Sequence, residues 1–417
     1  MNTRTLRSLA VAATLAAASF AANAQQVIKI AYIDPLSGAF ANVGEAGLKQ
    51  FQYLADQVNA KKLAGDFKIE VVGFDNKTSP QESLNVLKKV IDSDIRYILQ
   101  GNGSSVAIAL SDAVQKHNER NPGKEILYLN YAAVDPVLTN EKCQYFHFRF
   151  DANSDMKMEA LTSFLAKDKN VKKIYLINQN YSFGQAVSKA AKADLARKRP
   201  DIQIVGDDLH PLGQVKDFAP YVAKIKASGA DTVITGNWGT DMTLLVKAAK
   251  DAGLNVNFYT YYGGGLGSVA AMGDSAVGKV KQITEWHANV PTKDVDRMVN
   301  EFKKKYPDLD YYYGRAGTLM FMFAEAVKRA KSADPSAVAK QLSGMKMETE
   351  LGQVEMRAAD HQMIQPLYIS TLQKQASKGG PKDVKYDADN SGLGFQTDAR
   401  IDAFVSAQPT SCNMKTP

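Results

Sequence analysis

Residues 97–114 read YILQGNGSSVAIALSDAV, and the fold turns on this stretch. Tyr97, Ile98 and Leu99 make a short apolar strand. Gly101, Asn102 and Gly103 form a turn that tolerates positive φ. Ser104 and Ser105 then open a helix in which Val106, Leu110 and Val114 recur at helical spacing. A helix start presents free backbone N–H groups and the positive end of the dipole, and here two hydroxyls stand beside it. Together these features outline an anion-binding site. An N-cap serine after any strand gives the same local pattern, so the neighbouring units have to decide.

The same strand–loop–helix unit repeats on both sides. Upstream, 27–33 reads as a buried strand, then comes a helix burying Leu48, Phe51, Leu54 and Val58, then an alternating strand over 67–74. Ser79-Pro80-Gln81-Glu82 is a capping box with proline at the first helical position. Downstream, 125–129 is a strand with Asn130, Tyr131, Ala132 and Ala133 at its exit. A second series follows, with strands expected at 173–177, 202–205, 231–235 and 256–260 and helices between them. From 279 the pattern gives a strand through Trp286, helices over 295–305 and 313–331, and late strands at 354–356 and 367–372. This remainder is too small for a third domain and is expected to complete the first two. The stretch after Gln375 is polar and glycine-rich and reads as irregular. Strands alternating with helices predict an α/β fold of two Rossmann-like lobes with parallel sheets.

Composition excludes several functions. There are 51 basic and 44 acidic residues, for a net charge of +7, and the lysines are scattered rather than grouped with aromatics, so no nucleic-acid partner is expected. Arg4 and Arg7 precede an apolar run over 9–22, and Ala22-Asn23-Ala24 reads as a cleavage site, so residues 1–24 are expected to be a signal peptide. No later run is apolar and long enough to span a bilayer, so no membrane insertion is expected. Cys143 and Cys412 are an even pair in an exported chain, which points to one disulfide; two buried thiols are the alternative. His117, His147, His210, His287 and His361 show no metal-ligand spacing. No nucleophile or zinc motif occurs, and Val106 stands where a dinucleotide fingerprint needs its third glycine. No catalytic residue, metal or cofactor is expected.

The informative residues lie at strand exits, where open α/β sheets bind ligands. The first lobe offers Ser37, Asn76, Asn102, Gly103, Ser104, Ser105 and the 131–134 loop. The second offers Tyr181, Phe183, Trp238, Asp241, Tyr261 and Tyr262. One side is small and hydrogen-bonding and the other aromatic. Facing each other across a cleft, they would hold a small acid by its carboxylate and cover its apolar body.

DPLSG (34–38), GNGSS (101–105), YAAVDPVLT (131–139), FRFDANSDM (148–156), NYSFGQ (180–185) and ASGADTVITGNWGTD (227–241) follow one another in order. With the export signal, this set resembles type I periplasmic solute-binding proteins, in particular those for leucine, isoleucine and valine in ABC importers. The resemblance covers nearly the whole mature chain. It implies two lobes joined by three crossovers that close on the ligand by hinge motion, in a monomer that delivers its ligand to an ABC permease in the inner membrane. The lobes are expected at 25–148 plus 287–356 and at 149–286 plus 357–417. The resemblance places the carboxylate-holding loop on Ser104 and Ser105, and a second one on Ala132, Ala133 and Val134. It places the covering aromatic on Phe183 and the next contact on Trp238.

Two departures bear on the ligand. Val134 stands where a hydroxyl is frequent. The loop 261–265, YYGGG, lacks the carboxylate that the resemblance would place there for an ammonium. A buried ammonium without a partner is costly. The expected ligand is therefore a branched-chain amino acid or, lacking the amino group, an aromatic or short aliphatic acid, with Asp241 as the acidic partner if its helix start turns inward. A ligand-sensing receptor domain of the same fold is the alternative.

Overall fold

The computed structural model describes residues 26–292 and 294–417, and the signal segment read at 1–24 lies outside them. Two sheets organise the chain. The first is eight-stranded, in the order β11-β12-β13-β5-β4-β3-β1-β2, and the second seven-stranded, in the order β15-β14-β10-β9-β8-β6-β7. The strands of the first are β1 (Gln26–Asp34), β2 (Phe67–Asp75), β3 (Tyr97–Gln100), β4 (Leu127–Asn130), β5 (His147–Arg149), β11 (Lys346–Thr349), β12 (Gly352–Arg357) and β13 (Gln362–Ile364). Those of the second are β6 (Lys173–Gln179), β7 (Gln203–His210), β8 (Thr232–Thr235), β9 (Asn257–Thr260), β10 (Val280–Thr284), β14 (Leu367–Lys374) and β15 (Leu393–Ile401).

The parallel parts of the two sheets share one topology. Around β1 the order is β2-β1-β3-β4-β5, and around β6 it is β7-β6-β8-β9-β10. Each therefore has a switch point, between β1 and β3 and between β6 and β8, where the strand order reverses and a crevice opens at the carboxyl ends. Helices cover both faces of each sheet. Leu54 and Leu319 pack on one face of the first, Val86 and Leu110 on the other. Leu161 and Val187 cover one face of the second, Val222 and Leu245 the other. Buried on both sides, the central strands read as continuous apolar runs such as Leu127–Asn130, all buried. The N-cap half of the capping box forms: Ser79 Oγ accepts the Glu82 N–H at 3.3 Å and Pro80 opens the helix Pro80–Asp92, while the Ser79 N–H donates to the Asn76 carbonyl instead of the Glu82 side chain.

The structure corrects the reading of the C-terminal third. The segment after Gln375 carries β15, which pairs antiparallel with β14 from Leu367↔Ile401 to Lys374↔Leu393. Only Leu393, Gly394 and Phe395 of β15 are buried, so this edge strand lacks the apolar alternation that would mark it. β13, expected in the second lobe, pairs in the first sheet at Gln362↔Arg149, and the Arg149 Nε donates to Gln362 Oε1 at 2.8 Å. Trp286 falls beyond the end of β10 and packs in the first-lobe core, its Nε1 donating to the Tyr311 carbonyl at 3.2 Å. The last residues, also read as second lobe, return to the first. Thr410 Oγ1 donates to the Thr139 carbonyl at 2.7 Å, and Cys412 is disulfide-bonded to Cys143. The disulfide forms as expected.

Candidate functional site

The organising stretch sits at the switch point of the first sheet, and its shape depends on Asp34 at the end of β1. Asp34 accepts the backbone N–H of Asn102 at 2.9 Å and of Gly101 at 3.2 Å, and the Tyr131 hydroxyl at 2.7 Å. Burial pushes this carboxyl up to about 7, although each of those donors pulls it down. Asn102 Nδ2 donates to the same Tyr131 hydroxyl at 2.8 Å. Held in this way, the loop turns at Gly103, whose φ of 96° only glycine adopts readily, and the helix Ser104–Arg120 begins.

Within that helix the first bond runs from the Ala107 N–H to the Gly103 carbonyl. The amides of Ser104, Ser105 and Val106 thus lack intrahelical acceptors. Ser104 Oγ accepts the Asp135 N–H at 3.2 Å, which leaves its own proton free to donate. The neighbouring 131–134 loop is differently disposed. The N–H groups of Ala132 and Ala133 both point at Asn130 Oδ1, at 3.2 and 2.8 Å. They serve the loop rather than the cleft.

At the switch point of the second sheet the walls are aromatic. Tyr181 precedes the helix Ser182–Lys198 and Trp238 precedes the helix Gly239–Asp251. Trp238 Nε1 donates to the Tyr181 hydroxyl at 2.8 Å. The Phe183 ring lies 5.9 Å from that of Tyr181 and 6.2 Å from that of Tyr262. Phe40, from the first lobe, packs on Trp238 with ring centroids 4.3 Å apart. Gly239, with φ of 58°, lets that ring approach, since a Cβ there would fall 2.6 Å from Phe40. The Thr240 hydroxyl also donates across to the Ala39 carbonyl. The lobes are closed on each other.

Between them lies a narrow cleft whose walls come from both lobes. Asn102, Gly103, Ser104, Ala132, Val134, Tyr181, Phe183, Trp238 and Tyr262 line it, as the sequence suggests. Ser105, Ala133 and Asp241 do not. Ser105 is on the half-buried side of its helix and Ala133 packs into the first-lobe core. Asp241 is turned away: its Oδ2 accepts Gln179 Nε2 at 2.8 Å and the Gly213 N–H at 2.9 Å. It braces the loops behind Trp238 through Oδ2, while its buried Oδ1 has no partner among the described residues.

Other lining residues escape the strand-exit pattern. Val43 comes from the helix Ala41–Ala60, Leu266 from the loop after β9, and Tyr312, Tyr313 and Arg315 from the start of the helix Gly314–Ala330. Arg315 is the one charged residue among those lining the cleft. It is 5% exposed. Its Nε donates to the Tyr131 carbonyl at 2.5 Å and its Nη1 to Glu285 Oε1 at 2.8 Å, with Asp151 Oδ2 3.4 Å from Nε. Lys157 Nζ holds Asp151 at 2.8 Å. Burial pushes the Glu285 carboxyl up, but Arg315 and Lys157 outweigh it and hold it below the usual range. For Asp151 burial prevails and its carboxyl lies above. Among the described residues no group of three or more His, Cys, Asp or Glu is placed to hold a metal ion.

Known proteins share this architecture and sequence. The family model described as "Periplasmic binding protein" matches residues 27–380. The Leu/Ile/Val-binding protein homolog 4 of Brucella abortus (strain 2308) is 31% identical over 414 residues, covering 97% of each chain. A crystal structure of the leucine-, isoleucine-, valine-, threonine- and alanine-binding protein from Brucella ovis, in a closed conformation, is 30% identical with a TM-score of 0.81, covering 94% of this chain and 100% of that one. A solute-binding protein of an ABC transporter from Rhodopseudomonas palustris BisB5, in complex with 3,4-dihydroxybenzoic acid, shares the fold at 19% identity, with a TM-score of 0.75 over 90% of this chain and 98% of that one. With two α/β lobes closed over a cleft between their switch points, this chain belongs to the periplasmic binding protein family.

Proposed function

We propose that the chain is the periplasmic solute-binding component of an ABC transporter, capturing a small carboxylate by hinge closure and handing it to a permease in the inner membrane. The observation that carries this reading is the make-up of the cleft. Its walls come from loops at both switch points, with unspent donors at the Ser104 helix start on one side and the rings of Tyr181, Phe183 and Trp238 on the other. A carboxylate at the helix start gains from the dipole and from the hydroxyl, and the rings cover the apolar remainder. A ligand touching both lobes stabilises the closed state over the open one, which is how binding becomes a shape a permease can recognise. The protein acts as a monomer with no cofactor, exported by a signal peptide removed near Ala24. The lobes divide at the crossovers after β5, β10 and β13, and the names of the Brucella relatives make branched-chain amino acids the first compounds to test.

A thermal-shift screen of amino acids, aromatic acids and short-chain acids tests the proposal. One or more carboxylates should raise Tm in a concentration-dependent way. A full panel without any shift would leave the capture of a small acid without support.

A further inference from the structure

We infer that Phe40 is a latch between the lobes, a positioning residue that favours the closed arrangement through protein contacts alone and so sets how much of the chain is closed before a ligand arrives. The ring is carried by the first lobe. The loop after β1 is tied there to the end of β2, with the Leu36 N–H donating to Asp75 Oδ1 at 2.9 Å and the Ser37 hydroxyl to Asp75 Oδ2 at 2.5 Å. One short turn, Gly38–Phe40, then leads into the helix Ala41–Ala60. The ring itself is enclosed by the other lobe. Phe40 is 4% exposed and belongs to the apolar cluster of the second lobe, with Phe183 and Trp238.

The second lobe offers a socket shaped for this ring. Trp238 supplies one wall, with the two rings inclined by 30°. Bare backbone from two separate segments supplies the others. Gly239 opens the helix after β8, and Gly213 lies in the loop after β7. A Cβ on Gly213 would fall 2.7 Å from Phe40 Cε2, as close as one on Gly239 would fall to Cδ1. Any side chain at either position would push the ring out. Asp241 holds the two segments at this spacing, because its Oδ2 accepts the Gly213 N–H from within the helix that Gly239 opens. This gives the acid turned away from the cleft a purpose. The Thr240 hydroxyl, bonded to the Ala39 carbonyl, fastens the chain beside the ring.

Phe40, Ala39, Thr240 and Gly213 do not line the cleft, whereas Trp238 does. The latch therefore needs no ligand atom, and it meets the ligand site at one shared ring. Taking a phenylalanine side chain out of water shifts a two-state equilibrium by roughly 10- to 100-fold. A ligand that binds the closed state gains by the same factor whatever its chemistry, since less of its binding energy is spent on closing. The residues lining the cleft choose the ligand, and Phe40 scales the affinity for all of them.

The test uses the mature chain, unfolded in guanidinium with its disulfide intact to strip bound solute and then refolded. Trp286→Phe is the background, so that Trp238 is the single tryptophan. Small-angle scattering reports the separation of the lobes, acrylamide quenching the cover on Trp238, and far-UV circular dichroism the fold. Phe40→Ala should shift the closed-to-open ratio by about tenfold or more, seen as a larger radius of gyration together with stronger quenching at unchanged dichroism. Phe40→Leu, which keeps most of the apolar bulk, should fall between the two, and it carries the same test if Phe40→Ala does not fold. An unchanged radius of gyration overturns the inference, even if quenching rises, because Phe40 would then only cover Trp238 locally. None of these readouts needs a ligand, so carboxylate capture stands or falls separately.

Discussion

The first-lobe wall of the cleft is held by hydrogen bonds and the second-lobe wall by rings packed at a tilt. On the first, Asp34 gathers Gly101 and Asn102 from the loop after β3 and Tyr131 from the loop after β4, and Asn130 ties down Ala132 and Ala133. On the second, Trp238, Tyr181, Phe183 and Tyr262 lean on one another, with Phe40 of the first lobe added when the lobes meet. Directional bonds fix where donors point, which suits an anion site that must be preorganised. Ring packing is less directional and tolerates different apolar bodies. The comparison teaches that the polar wall sets what charge is accepted and the aromatic wall how much surface is covered. It predicts that damage to the two walls will show in different measurements.

The largest effect is expected at Asp34. Replacing it with alanine leaves two backbone N–H groups unpaired in the core and removes one bond of the Tyr131 hydroxyl, and unmade buried bonds cost about 1–3 kcal/mol each. Asp34→Ala should lower stability by about 3 kcal/mol or more in urea unfolding. A loss under about 1 kcal/mol would mean that the polar wall does not depend on this hub. The same group gives a pH signature. Its folded value of about 7 lies above that of an unfolded carboxyl, so the folded state binds the proton more tightly. Its contribution is present below the unfolded value and is lost as pH rises through about 7. Asp34→Asn should flatten that part of the stability profile.

A second test concerns the tie between the lobes. After β15 in the second sheet, the tail returns to the first lobe, where Cys412 is bonded to Cys143, 269 residues away. A disulfide typically stabilises by about 2–4 kcal/mol. Cys143→Ser with Cys412→Ser should shift the urea midpoint accordingly. Unchanged stability would show that the contacts of Thr410 and Ser411 hold the tail without it.

These elements also show what could be read from the chain. The fold was legible because each strand–helix unit carries its own signals within some 30 residues: apolar runs, capping residues, glycine turns. The loops at the two switch points were legible for the same reason, since nine of the proposed contacts lie at strand exits and line the cleft. Arg315, Tyr313 and Asp34 were not. Arg315 meets Tyr131 at a separation of 184 residues, and Asp34 meets Asn102 at 68. Nothing local distinguishes Asp34 from any aspartate ending a strand. Asp241 misled in the opposite sense: its place at a helix start is evident, but Gln179 and Gly213, which turn it away, come from other elements.

A third test separates the two serines on the polar wall. Ser104 lines the cleft and Ser105 does not. If a carboxylate sits at this helix start, Ser104→Ala should weaken ligand binding by about 1–3 kcal/mol. Ser105→Ala should change it by less than about 0.5 kcal/mol. Equal losses in calorimetry would put the ligand deeper along the helix than the cleft geometry does.

The smallest effect is expected on the aromatic wall, at Trp238. Trp238→Phe keeps a ring against Phe40 but loses the indole N–H that Tyr181 accepts at 2.8 Å. Because the neighbouring rings can settle around a phenylalanine, affinity should fall by about 1 kcal/mol, at the low end of the loss at Ser104. The optical effect should be larger than the energetic one. The described tryptophans are Trp238, at the meeting point of the lobes, and Trp286, enclosed in the first-lobe core. Opening would uncover Trp238 and leave Trp286 where it is. Ligand should therefore change the intrinsic fluorescence of the wild-type protein, and Trp238→Phe should remove most of that change while retaining most of the affinity. If the variant loses affinity as severely as Ser104→Ala, the aromatic wall is as exacting as the polar one and the division of labour between them fails. If it keeps the full signal, the ligand is sensed at Trp286 and the hinge motion reaches the first-lobe core.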